Sequence, residues 1–287
     1  MKNKFKIAII GSGTMGNGIA HVSAQSGFHT TLVDIDKNQL DKASQNINFN
    51  LDRQINKKVI SEIDKKNTLN KLNMTTDLEN CKNCDLVIEA VPEKFELKVS
   101  IFKKLDKICN SKTIFASNTS SISISELGNK TSRPTKFIGM HFMNPVPIMK
   151  LIEVINTIHT SKDTTRKIIE ISESMKKIPI QCNDYPGFVS NRILMPMINE
   201  AVNCFEEKVA SVESIDSIMK LGMGHPMGPL KLADLIGLDV CVFILNVLYD
   251  GFKDKKYRPS KLLVEMVKEN KLGKKSGEGF YKYEFWT

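Results

Sequence analysis

Residues 5–34 read FKIAIIGSGTMGNGIAHVSAQSGFHTTLVD, and this stretch decides the fold. Residues 5–10 are a mostly apolar run stopped by glycine, the pattern of a strand buried in a parallel sheet. A glycine-rich turn follows, then a helix expected over 15–25 and closed by Gly27, then a second strand over 29–34. Strand, helix and strand within about 30 residues make a βαβ unit. Gly11-Ser12-Gly13-Thr14-Met15-Gly16 fits G-x-G-x-x-G. Alone that pattern is weak. Here it follows a strand and opens a helix, and Asp34 ends the next strand 21 residues after Gly13, which makes it a dinucleotide-binding fingerprint.

Each residue of the fingerprint has a physical task. Gly11 permits the tight turn, Gly13 lets the backbone approach a pyrophosphate, and Gly16 lets the helix pack close to the strand. Thr14 and Met15 start a helix whose first N–H groups and positive dipole end suit phosphate. Gly11, Gly13, Thr14, Met15, Gly16 and Asp34 are therefore the cofactor-binding candidates. Asp34 suits a ribose 2′-hydroxyl and repels the 2′-phosphate of NADP, although Lys37 lies near enough to blunt that repulsion. NAD is the expected cofactor, with NADP the lesser alternative.

Outward from this unit, Leu40, Ala43, Ile47, Leu51 and Ile55 recur three or four residues apart and give one apolar stripe on a long helix. Apolar runs at 86–90, 113–116, 137–140 and 151–155 read as further strands, several separated by helical patterns. The expected fold is α/β, a Rossmann-type doubly wound sheet. After Cys182-Asn183-Asp184-Tyr185-Pro186-Gly187 the character changes to helical, with breaks at 222–229 and 257–259. The expected domains are 1–184, binding NAD, and a smaller all-α domain at 185–287 for substrate and dimerisation.

Composition narrows the classes without choosing one. The 287 residues are 41% hydrophobic and 25% charged, ordinary for a soluble globular protein of one large or two smaller domains. No apolar run reaches the roughly 18 to 20 residues that cross a bilayer, so no membrane association is expected. The opening Met1-Lys2-Asn3-Lys4 could begin a signal peptide, but the apolar stretch is short and runs directly into the glycine turn. The expectation is a cytoplasmic protein without a targeting segment. Its six cysteines would then stay reduced. Cys81 and Cys84 form a lone C-x-x-C with no second pair or histidines at ligand spacing, which reads as a turn into the next strand, and no metal is expected. The net charge of +9 favours anionic partners. It is spread along the chain without a nucleic-acid motif, and a phosphate-rich cofactor or substrate uses it equally well.

A nicotinamide-dependent alcohol dehydrogenase needs a group to take the hydroxyl proton as hydride leaves. Of five histidines, His141 is the best placed, because it closes the run 137–140 and open α/β sheets set their ligands at strand ends. If the run 151–155 lies alongside, Glu153 can face His141, fixing its tautomer and stabilising the imidazolium. A strand-end histidine is as readily structural. A carboxylate inside an apolar strand is harder to dismiss, since burying it without a partner is costly.

The segment His141-Phe142-Met143-Asn144-Pro145-Val146-Pro147-Ile148-Met149-Lys150-Leu151-Ile152-Glu153-Val154 resembles the active-site segment of the L-3-hydroxyacyl-CoA dehydrogenases. So do Ala116-Ser117-Asn118-Thr119-Ser120-Ser121, Pro186-Gly187-Phe188-Val189-Ser190-Asn191-Arg192, His225-Pro226-Met227-Gly228-Pro229-Leu230 and Gly273-Lys274-Lys275-Ser276-Gly277-Glu278-Gly279-Phe280-Tyr281. The resemblance runs essentially end to end, and in length the bacterial 3-hydroxybutyryl-CoA dehydrogenases match best.

The resemblance implies that His141 is the general base, Glu153 its partner, and that Ser120 and Asn191 hydrogen-bond substrate oxygens. It implies that Glu93, Lys98, Asn144 and Lys275, with Ser120, line the nicotinamide and ribose region. It also implies coenzyme A contacts from the polar face of the helix 39–58, where Arg53 and Lys57 are the choices and a solvated charged face is the rival reading. Asn56-Lys57-Lys58-Val59-Ile60 departs from the family by lacking the glycine often found in that turn. The implied reaction is the reversible conversion of (S)-3-hydroxyacyl-CoA and NAD⁺ to 3-oxoacyl-CoA, NADH and H⁺, with the acyl-CoA in a cleft between the domains and the helical domain forming a homodimer. The alternatives are a related dehydrogenase of a free hydroxy or sugar acid, which would not need Arg53 and Lys57, and a non-catalytic protein that kept the fold.

Overall fold

The computed structural model describes residues 5–284, which fall into two compact units divided between Tyr185 and Pro186. The first unit runs β1 (Lys6–Ile10), α1 (Thr14–Gln25), β2 (His29–Val33), α2 (Lys37–Asn56), α3 (Glu62–Asn70), β3 (Leu72–Thr75), β4 (Leu86–Glu89), α4 (Phe95–Ile108), β5 (Ile114–Ser117), α5 (Ile124–Gly128), β6 (Phe137–Phe142), β7 (Leu151–Asn156), α6 (Lys162–Ser174) and β8 (Ile178–Asn183). The eight strands form one sheet in the order β3-β2-β1-β4-β5-β6-β7-β8. Every neighbouring pair is parallel except β6 and β7. The chain lays β2 and β3 on one side of β1, then crosses to β4 on the other. That reversal opens a crevice beyond the carboxyl ends of β1 and β4, where open α/β sheets bind ligands. The doubly wound α/β reading of the sequence is the fold observed.

Burial explains which strands the sequence announced. All four residues of β4 and of β5 are buried, and in β1 only Lys6 is exposed. Such strands are covered on both faces and read as continuous apolar runs. Ile7, Ile9, Ile19, Leu32, Ile88 and Ile138 belong to the cluster that forms this core, each contributing roughly 1.5–3 kcal/mol by leaving water. The edge strands β3 and β8 lie partly in solvent, and in Leu72-Asn73-Met74-Thr75 and Ile178-Pro179-Ile180-Gln181 apolar and polar residues mix too evenly to announce a strand. α2 buries Leu40, Ala43, Ile47 and Leu51, the stripe read from the sequence. Its N-terminus is capped by Asp36, whose carboxylate accepts from the Asn38 N–H. α3 starts with a capping box between Ser61 and Asp64.

The second unit is helical: α7 (Ser190–Glu206), α8 (Val212–Met223), α9 (Pro229–Ile236), α10 (Leu238–Phe252) and α11 (Lys261–Lys268). Met195, Ile198, Val202, Leu230, Leu245 and Leu248 are among its core residues. Gly224 ends α8 at φ +70° and Pro229 begins α9, the usual placing of glycine after a helix and proline at the start of one. Two buried carboxylates fasten the C-terminal segment. Asp234 accepts from the Phe280 and Tyr281 N–H groups and the Tyr283 hydroxyl, while Asp216 accepts from the Tyr281 hydroxyl and the Leu230 and Lys231 N–H groups.

No single helix among the described residues is long and apolar enough to cross a membrane. All six cysteines are thiols. Cys81 and Cys84 are buried in the turn that precedes β4. Among the described residues no three His, Cys, Asp or Glu side chains are grouped as a metal ion requires.

Candidate active site

The turn after β1 is shaped for a dinucleotide. Gly11 sits at φ +97°, and a Cβ on Gly16 would lie 1.7 Å from the Gly11 carbonyl oxygen, so helix and strand meet at a distance only glycine allows. A Cβ on Gly13 would meet nothing within 4 Å: the space above the turn is open to a ligand. Gly13 begins α1 without any side-chain cap, which leaves the amides of Thr14, Met15 and Gly16 for phosphate oxygens. Asp34, just past the end of β2, accepts from the Ser12 N–H and hydroxyl at 2.7 Å each and from the Asp36 N–H at 3.1 Å. Its carboxylate is thereby held beside the fingerprint turn. These residues fit an NAD with an unphosphorylated 2′-hydroxyl.

On the other side of the sheet, β6 and β7 pair antiparallel with His141 opposite Glu153. The strand β6 runs through His141 to Phe142, so the histidine belongs to the strand and shares its rigidity. His141 Nδ1 lies 2.7 Å from Glu153 Oε2, and the residues are 8% and 5% exposed. The lone carboxylate in an apolar strand has its partner. The Asn118 side-chain oxygen accepts from the Phe142 N–H at 2.9 Å and ties the loop after β5 to this strand end. Sequence reasoning quoted Asn118 only as part of a motif.

Between these two features lies a buried polar network. Glu93 Oε1 accepts from the Thr119 hydroxyl, from the Ser120 and Ser121 N–H groups at 3.0 and 3.1 Å, and from the Ser121 hydroxyl at 2.7 Å. The backbone of the Ser120 loop is therefore moulded on one carboxylate. Lys98, expected against the cofactor, is 1% exposed, and its Nζ reaches Glu89 at 2.6 Å and Glu93 at 3.1 Å. Lys98 is thus enclosed between these two carboxylates. Burial pushes the Glu89 carboxyl up, against Lys98, Ser117 and Val91. At Glu93 burial acts the same way but is outweighed by Lys98 and by the Thr119 and Ser121 hydroxyls, which hold the carboxyl below its usual range. Sequence reasoning passed over Glu89, although like Glu153 it is a carboxylate in an apolar strand.

Arg53 and Lys57 line a cavity of about 670 Å³ together with Lys150, Lys176, Lys177 and Ile148, and the lining holds one carboxylate, Asp64. The Arg53 guanidinium stands 5.8 Å from the Phe49 ring centroid. Lys58 adopts φ +56° in the turn ending α2. Asn144 is exposed at the start of the loop that separates β6 from β7. In the helical unit, Asn191 is buried in the first turn of α7, and Lys275 Nζ lies 2.5 Å from Asp239. Of the remaining histidines, His21 is buried in α1, and burial, then the Lys177 charge, lowers it to about 4; it stays neutral at physiological pH.

Residues 6–185 match the family described as 3-hydroxyacyl-CoA dehydrogenase, NAD binding domain, and residues 187–283 match 3-hydroxyacyl-CoA dehydrogenase, C-terminal domain. A probable 3-hydroxybutyryl-CoA dehydrogenase of Deinococcus radiodurans is 52% identical over 97% of this chain and 100% of its own length. A 3-hydroxybutyryl-CoA dehydrogenase of Clostridioides difficile is 49% identical over 97% and 99%. The crystal structure of (S)-3-hydroxybutyryl-CoA dehydrogenase from Ralstonia eutropha, 47% identical, superposes with a TM-score of 0.95 over 98% of this chain and 99% of that one.

Proposed function

The chain belongs to the 3-hydroxyacyl-CoA dehydrogenase family, and from that premise we propose that it interconverts (S)-3-hydroxybutyryl-CoA and acetoacetyl-CoA with NAD(H), using His141 as general base and acid. The observation that carries the reading is the His141–Glu153 pair, 2.7 Å apart on adjacent strands. The cofactor, held by the fingerprint turn and Asp34, would supply a hydride acceptor for carbon 3 as NAD⁺ and a hydride donor as NADH. With Nδ1 engaged by Glu153, Nε2 is the nitrogen that takes the proton of the 3-hydroxyl. Glu153 favours the resulting imidazolium and keeps the ring in one orientation. In reduction the same nitrogen gives the proton back. A base positioned in this way contributes about 10²- to 10⁴-fold in rate.

The remaining assignments are those that the sequence fingerprint and the family resemblance imply. Gly11, Gly13, Thr14, Met15, Gly16 and Asp34 bind NAD, and Glu93, Asn144 and Lys275 complete its site, with Lys98 acting behind Glu93. Ser120 and Asn191 hydrogen-bond substrate oxygens. Arg53 and Lys57 meet the anionic coenzyme A part, a role supported by the five basic side chains around one cavity. The homodimer finds support in the helical unit, which leaves Ile193, Ile218, Leu221, Met223 and Leu235 more than half exposed; an apolar surface of this kind suits an obligate contact.

The reading is tested by following NADH and NADPH oxidation with acetoacetyl-CoA and with free acetoacetate. Fast turnover with NADH and the CoA ester alone is expected. Equal turnover of the free acid would transfer the assignment to a dehydrogenase of free hydroxy acids.

A further inference from the structure

Glu89 has no part in the reaction just described. It is nonetheless an ionisable side chain with no exposure to solvent, at the carboxyl end of β4 between Ile10 of β1 and Ser117 of β5. Its two oxygens are fully engaged. Oε2 accepts from the Ser117 hydroxyl at 2.6 Å, and Oε1 accepts from Lys98 Nζ at 2.6 Å and the Val91 N–H at 2.8 Å. A carboxylate this deep is costly unless it is paired, and an apolar residue would fill a sheet interior more cheaply. The residue must do something that packing alone does not.

The arrangement around Lys98 shows what. One ammonium serves two carboxylates, with Glu89 at the shorter distance, 2.6 Å against 3.1 Å for Glu93. Lys98 reaches Glu93 on Oε2, while the Ser120 loop uses Oε1. The Glu93 carboxylate is thus gripped from both sides, by Lys98 behind and by the loop in front. The Ser117 hydroxyl that donates to Glu89 also accepts from the Thr119 N–H at 3.3 Å, so Glu89 touches the base of the same loop by a second route. We propose that Glu89 is a positioning residue: through Lys98 it sets the orientation of Glu93, and through Glu93 the backbone of the loop that presents Ser120. The proposal rests on Ser120 being a substrate contact for its effect on rate, but not for its effect on the loop. Without Glu89, the ammonium keeps the Val91 carbonyl at 3.2 Å and has Glu93 as its one carboxylate, which it draws closer, taking Oε1 away from the Ser120 and Ser121 N–H groups.

Two readouts on Glu89→Gln, Lys98→Met and the double variant test this. The first is amide hydrogen exchange across residues 118–121, which reports the loop whatever the reaction is. The second is the steady-state reduction of acetoacetyl-CoA, with NADH binding measured separately by fluorescence. Each single variant is expected to speed exchange at Ser120 and Ser121, to lower kcat about tenfold, the scale of a small misplacement near the chemistry, and to weaken NADH binding, because Glu93 is assigned to the cofactor site. The double variant is expected to be no worse than Lys98→Met alone, because residues acting through one another are not additive. Should Glu89→Gln fail to fold, the neutral double variant beside Lys98→Met makes the same comparison. Unchanged exchange in Glu89→Gln, or a double-variant loss equal to the product of the single losses, would overturn the proposal. A wild type that binds NADH without turning over acetoacetyl-CoA would overturn the assigned reaction instead and leave the exchange result standing.

Discussion

His141 and Glu153 are register partners of the β6–β7 ladder, Nδ1 facing Oε2 at 2.7 Å. In an antiparallel pair, side chains opposite each other lie on the same face of the sheet, so the hairpin register itself aims the carboxylate at the ring. No loop has to close for the pair to exist. Replacing Glu153 by Gln keeps the shape and removes the charge. We predict a fall in kcat of about 10²-fold with KM for NADH unchanged, measured by steady-state kinetics; a loss confined to KM would deny Glu153 its role in stabilising the imidazolium.

The role proposed for Asp34 is to discriminate the cofactor by charge. Asp34→Ala removes both the acceptor for the ribose hydroxyl and the repulsion of a 2′-phosphate. KM for NADH should rise about tenfold while NADPH oxidation improves, read as the ratio of kcat/KM for the two cofactors. An unaltered ratio would place discrimination elsewhere.

Arg53 and Lys57 share a cavity rimmed by further lysines, all in the first unit. Arg53→Ala and Lys57→Ala should each raise KM for acetoacetyl-CoA several-fold, about 1 kcal/mol for a solvent-accessible charge contact, with NADH binding untouched. The effect should shrink with added salt. Equal effects at low and high ionic strength would count against an anion contact.

Much of this site was legible because it obeys local rules. The fingerprint is a backbone device, and glycines at 11 and 16 are forced by φ and by a 1.7 Å clash, so sequence shows them directly. Glu153 was conspicuous because charge in an apolar strand demands a partner. Glu89 carried the same mark, but its partner Lys98 sits on α4, and pattern reading cannot tell which face of a helix reaches a strand end. β3 and β8 escaped because edge strands share their surface with solvent and lose the apolar run. The burial of Lys98 was not legible either, because a family resemblance assigns a position without its depth.

Acid sensitivity should centre on His21. Its folded pKa of about 4 lies below the ordinary 6.5, because burial first and the Lys177 charge second disfavour the imidazolium. The unfolded chain therefore binds the extra proton between these values, and stability falls as pH drops from about 6.5 to 4, then levels. The full loss is about 3 kcal/mol. His21→Leu should flatten this limb of the pH–stability curve in urea titrations. A parallel curve for variant and wild type would assign the acid limb to other groups.

Lys58 holds φ +56° in the turn after α2, a conformation glycine adopts without strain. Lys58→Gly should raise stability by up to about 1 kcal/mol in the same titrations, whereas a destabilised variant would mean that the Lys58 side chain makes contacts worth more than the strain.

The most direct test of the catalytic assignment is NADH oxidation by acetoacetyl-CoA with wild type beside His141→Ala, with NADH affinity and thermal midpoint recorded for both. A loss of kcat of about 10²- to 10⁴-fold at unchanged NADH affinity and intact folding is the predicted result. Wild-type turnover in a folded His141→Ala protein would contradict it and remove His141 from the chemistry.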